Sequence, residues 1–99
     1  MYRYTLGSDV SMSDVHDTLL LAVLAIECMY GSAQARLELF HELDPKKRVC
    51  VIDASTPVGR DLNQLFTGFL QKEFGADSFR VERVPHGNPL TIPHGGDHG

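Results

Sequence analysis

Apolar and polar positions alternate at the start of the chain. In Tyr2-Arg3-Tyr4-Thr5-Leu6, Tyr2, Tyr4 and Leu6 share one face, which predicts a half-buried strand. Gly7-Ser8-Asp9 breaks it. Ser11 and Asp14 then form a variant capping box before a long apolar stretch, which predicts a helix over Met12–Tyr30 stopped by Gly31. From Ala33 to Leu43 alternation returns. Ala35, Leu37, Leu39 and His41 fall on one side and Gln34, Arg36, Glu38, Phe40 and Glu42 on the other, so a second strand is expected. Asp44-Pro45-Lys46-Lys47 is turn chemistry. Val49-Cys50-Val51-Ile52 is apolar on both faces and predicts a central strand paired with the second in a hairpin.

Ser55-Thr56-Pro57 opens a second helix, with Thr56 or Ser55 as cap and Pro57 at the first helical position. Val58, Leu62, Leu65, Phe66, Phe69, Leu70 and Phe74 make one apolar stripe before the Gly75 stop. Ser78–Val84 alternates as a fourth strand. From Pro85 the chain turns to Pro, Gly and His and predicts no regular element, so the domain is expected over 1–84 with a tail over 85–99.

The order β-α-β-β-α-β predicts a ferredoxin-like split βαβ fold of the α+β class. Its four-stranded antiparallel sheet should run 4-1-3-2, with two helices on one face. The helix-facing core is expected to hold Tyr4, Leu6, Leu19, Val23, Ile26, Leu37, Leu39, Val51, Leu62, Phe66, Phe69 and Phe79. On the opposite sheet face, Arg3, Thr5, Arg36, Glu38, Phe40, Arg80 and Glu82 should surround two apolar residues of the third strand.

At 99 residues the chain fits one domain able to build a core without staples. A net charge of −4 excludes a general nucleic-acid binder, which needs a basic face. The longest apolar run, Leu19 to Ile26, is far below the ~20 residues that span a bilayer, so no membrane partner is expected. Cys28 and Cys50 form no CxxC motif and predict two small buried hydrophobes in a reducing, cytoplasmic setting.

Three places can carry function. Ser55, Thr56 and Arg60 at the second helix start, joined by His86, offer donors to a small anion; Gly59 would let it approach. His86, His94, His98 and Asp97 of the tail are metal-ligand types. The first helix has more apolar positions than one core can use, and Leu21, Leu24, Ala25 and Cys28 form a surplus that predicts a homo-oligomer or a protein partner. Catalytic chemistry is thin. No Ser–His spacing suggests a nucleophile and base. Glu27 inside the apolar helix would have a raised pKa if buried, but a helix-edge position explains it more simply. His16 reads as a helix-surface residue and His41 as a half-buried strand-end residue. No residue pattern names a cofactor. The balance favours a non-enzymatic assembly or regulatory module over an anion-binding sensor or enzyme, and either over a metal-binding protein.

Overall fold

A computed structural model describes residues 1–85. Strand β1 (Tyr2–Leu6) leads to helix α1 (Met12–Tyr30) and a short helix α2 (Ser32–Glu38). The hairpin β2 (His41–Asp44) and β3 (Val49–Ile52) follows. Helix α3 (Pro57–Phe74), a 3₁₀ turn (Ala76–Ser78) and β4 (Phe79–Arg83) complete the order. All strand pairs are antiparallel, and the sheet runs β2-β3-β1-β4. This is the expected 4-1-3-2 order in an α+β chain, with three helices where two were expected.

The local signals work as their chemistry requires. Ser11 accepts from the Asp14 N–H and starts α1. Thr56 accepts from the Gly59 N–H and starts α3 behind Pro57. Gly31 and Gly75 end the two long helices at φ 90° and 91°, a region that L side chains rarely adopt.

The expected second strand over Ala33–Leu43 is a correction. Its first half is α2, and only His41–Asp44 pairs with β3. Ala33, Gln34, Ala35, Arg36, Leu37 and Glu38 are all good helix formers, and seven residues suit either period. Gln34 also donates to Glu38 across one turn. Only Ala35 of α2 is buried. Leu37, expected in the core, is 86% exposed. Arg36 and Glu38 therefore lie on a helix and not on the open sheet face.

The core lies between the sheet and the α1–α3 pair. Tyr4, Leu6, Leu19, Ile26, Leu62 and Phe66 are buried there as expected, while Val23, Leu39, Phe69 and Phe79 pack at its margin half-buried. The register of β3 is a second correction. Tyr4 pairs with Cys50 and Arg3 with Val51, so Cys50 and Ile52 face the helices. Val51 is fully buried, but on the other face, between Arg3 and Glu42 in register. On that face Arg3 donates to Glu82 at 2.6 Å.

Candidate functional site

Helix periodicity divides α1 cleanly. Val15, Leu19, Ala22 and Ile26 form the buried stripe. Half a turn away lie Leu20, Leu21, Leu24 and Cys28. The three leucines are 51–57% exposed and Cys28 is exposed. Ala25, next to Leu21 around the helix, is half-buried, and Met29, 62% exposed, lies on the flank of α1 that borders Asp61, Gln64 and Leu65 of α3. Of the expected interface residues, Leu21, Leu24 and Cys28 therefore share one surface, with Ala25 at its margin, and Leu20 extends it. Cys28 is not the buried hydrophobe expected; Cys50 is, and burial pushes its thiol up to about 12. No single described helix is long and apolar enough to cross a membrane; α1 and α2 reach that composition only together, bent by 119°.

The start of α3 is built differently from the expected anion cradle. Thr56 is spent on the helix: besides capping Gly59, its hydroxyl donates to the Glu38 carbonyl at 3.1 Å, which fastens α2 to α3. Asp53 accepts from the Ser55 N–H at 2.9 Å, and the Ser55 side chain is exposed. Gly59 makes room not for a ligand but for the Asp53 carbonyl, which a Cβ would strike. Arg60 is exposed and makes no ion pair with the described residues. It lines an open groove of about 590 Å³ with Tyr2, Ala54, Asn63, Gln64, Thr67 and Gln71. Asp61, a candidate partner for Arg60, instead accepts from the Tyr30 hydroxyl. That bond, more than desolvation, holds the phenol above its usual range.

Two polar residues with structural roles escaped sequence reasoning. The Tyr4 hydroxyl lies within hydrogen-bond distance of Asn63 Oδ1 and Thr67 Oγ1, at 2.5 and 2.6 Å, so a strand tyrosine has its one polar atom satisfied by α3. Burial outweighs the Thr67 hydrogen bond and raises this phenol to about 12. Arg48 adopts φ 59° at the hairpin exit and donates to the carbonyls of Gly7 and Val10, which ties the hairpin to the loop before α1. Its position after two lysines in a turn gave no signal of that.

His86, His94, Asp97 and His98 lie outside the described residues. Among the described residues no group of three or more His, Cys, Asp or Glu side chains is placed to hold a metal. His41 sits where its strand-end position predicted, half-buried on the helix side of β2 opposite Ile52.

Desolvation lowers the His41 pKa below its ordinary 6.5. The neutral ring is thus the folded form, and the unfolded chain takes up the proton first. Stability present above pH 6.5 should be lost as pH falls through the lowered folded value. Thermal melts between pH 7.5 and 5 should show a steeper decline for wild type than for His41→Gln; parallel declines would remove His41 as the cause.

No family model, curated protein or solved structure matches the chain. Function must therefore be argued from its own surfaces.

Proposed function

We propose that the chain is a small non-enzymatic assembly module that docks onto a protein surface through the outer face of α1. The observation that carries this is the unbroken exposure of Leu20, Leu21 and Leu24 on the helix face opposite the core. Folding does not need leucine there, because any good helix former would serve. Contiguous apolar surface of this kind marks contact sites in soluble proteins. The element order, the sheet order and the packing of α1 on α3 support reading the scaffold as a ferredoxin-like split βαβ unit with α2 inserted before the second strand. The free thiols of Cys28 and Cys50 support a reducing compartment such as the cytoplasm.

Leu24→Glu tests the reading. Leu24 is more than half exposed, so the variant should melt within about 0.5 kcal/mol of wild type. Wild type should run heavier than a monomer, either purified at tens of micromolar in sedimentation or within a cell extract on gel filtration. The variant should run as a monomer in both. If wild type is itself a monomer in both settings, the reading fails.

Arg60 supports a second reading, a carboxylate or phosphate ligand bound in the α3 groove. Titration with inorganic phosphate or glutamate should then shift the amide resonances around residues 60–71, and Arg60→Ala should abolish the shifts. Absence of shifts in wild type at millimolar ligand would end this alternative.

A further inference from the structure

We infer that the α3 groove takes an organic phosphate monoester, its phosphate gripped by Arg60 and Arg83 and its polar body lying along α3. This rests on the Arg60 reading above and adds the second cation and the class of ligand.

One residue links the two arginines. Tyr2 and Arg60 line the groove together. Arg83 of β4 is the register partner of Tyr2, so the two side chains leave the same face of the sheet as neighbours. Arg83 is exposed and, like Arg60, makes no ion pair with the described residues. Arg3 lies on the opposite face and is already paired with Glu82. Among the described residues that line the groove there is no Asp or Glu. The two acids that flank its Arg60 end are engaged elsewhere: Asp53 accepts from the Ser55 N–H, and Asp61 accepts from the Tyr30 hydroxyl on the α1 side of α3. In a chain of net charge −4, this end of the sheet therefore carries a local excess of positive charge.

Two guanidinium groups select phosphate over carboxylate. A single Arg fork satisfies a carboxylate, which has two oxygens and one charge. A phosphate monoester near neutral pH carries about −1.5 to −2 charge and three strong acceptor oxygens, which is enough to engage both arginines.

The rest of the groove calls for more than a bare phosphate. From Arg60 to Gln71 the helix rises about 16 Å, and the phosphate fills only the Arg60 end. The remaining wall offers hydrogen-bonding groups. The side chains of Gln64 and Gln71 have no partner among the described residues, and Asn63 spends its Oδ1 on the Tyr4 hydroxyl, which leaves its amide N–H groups. At Gly68 nothing stands within 4 Å of where a Cβ would lie, so the groove is open there. A body rich in hydroxyl or amide groups matches these partners. Sugar phosphates and nucleotides share that chemistry.

The test is a set of separate titrations of the nitrogen-labelled chain with ribose phosphate, adenosine monophosphate, inorganic phosphate and glutamate. At least one ester should shift the resonances of Tyr2, Arg60, Arg83 and residues 63–71, and should bind about tenfold more tightly than inorganic phosphate or glutamate. Tighter binding of adenosine monophosphate than of ribose phosphate makes the ligand a nucleotide, and the reverse order makes it a sugar phosphate. Arg83→Ala should weaken the ester by about tenfold, the worth of a lost hydrogen bond to a charged group. It should leave glutamate binding unchanged and, because Arg83 is exposed, leave the melting temperature unchanged as well. Ester binding untouched by Arg83→Ala, glutamate binding weakened as much as the ester, or no preference for either ester would each overturn the inference and leave the Arg60 reading standing. No shift with any of the four probes would end both.

Discussion

Phe66→Ala is expected to destabilise the fold by about 3–5 kcal/mol, the range for removing a large ring from a packed core. Phe66 is fully buried on α3, and its ring meets that of Tyr4 edge-on, with centroids 5.0 Å apart and planes at 69°. The substitution therefore leaves a cavity between helix and sheet and removes the aromatic contact that accompanies the Tyr4–Asn63–Thr67 hydrogen bonds. Domains of this size hold only ~5–15 kcal/mol in total, so the variant should be measured by urea unfolding at low temperature. Leu37→Ala is the counterpart. Leu37 sits on α2 at 86% exposure and should change stability by no more than about 0.5 kcal/mol. A loss below about 1 kcal/mol for Phe66→Ala would mean that α3 does not pack as described.

The second large effect is Gly59→Ala. Gly59 lies in the first turn of α3 with ordinary helical backbone, so conformational freedom is not the reason for glycine. A Cβ there would run into the Asp53 carbonyl oxygen and crowd Thr56 Oγ1 at 3.0 Å. The Asp53–Thr56 segment would have to move, and it carries the Asp53 N–H bond to the Phe40 carbonyl and the Thr56 cap. Overpacking of this kind costs about 1–3 kcal/mol. Gly68, nine residues on in the same helix, has nothing within 4 Å of where a Cβ would stand. Gly68→Ala should stabilise by about 0.5–1 kcal/mol, the helix-interior penalty of glycine released. Thermal melts of the two variants should therefore move in opposite directions. A common direction would show that the close approach of Asp53 to α3 is not real.

The candidate surface was legible only in part. Surplus apolar residues in the first helix could be counted from the chain, and Leu21, Leu24 and Cys28 proved to lie together on the outer face. Cys28 was nevertheless expected to be buried, because a cysteine in an apolar run resembles core until the neighbouring helix is placed. At the start of α3 the donor types were visible, but their use was not. Thr56 and Gly59 turned out to serve the fold, since a hydroxyl at a helix start bonds the nearest free backbone group, and here α2 and Asp53 supply partners as well.

Local chemistry by itself determined the boundaries of the two long helices and the hairpin turn. Caps, glycine stops and a proline at the first helical position act within a few residues and need no tertiary help. Tertiary structure decided the rest. Residues 33–39 satisfy both a strand alternation and a helical propensity. Helix prevailed where Gly31 turns the chain, Ala35 enters the core and Thr56 reaches the Glu38 carbonyl. The four apolar residues of β3 gave no sign of which face was which. Cross-strand pairing of Cys50 with Tyr4 decided it, because paired residues point the same way and Tyr4 already faces α3. Periodicity states that a helix has more apolar surface than one core needs, but only packing against α3 and the sheet leaves Leu20, Leu21 and Leu24 as the part in water.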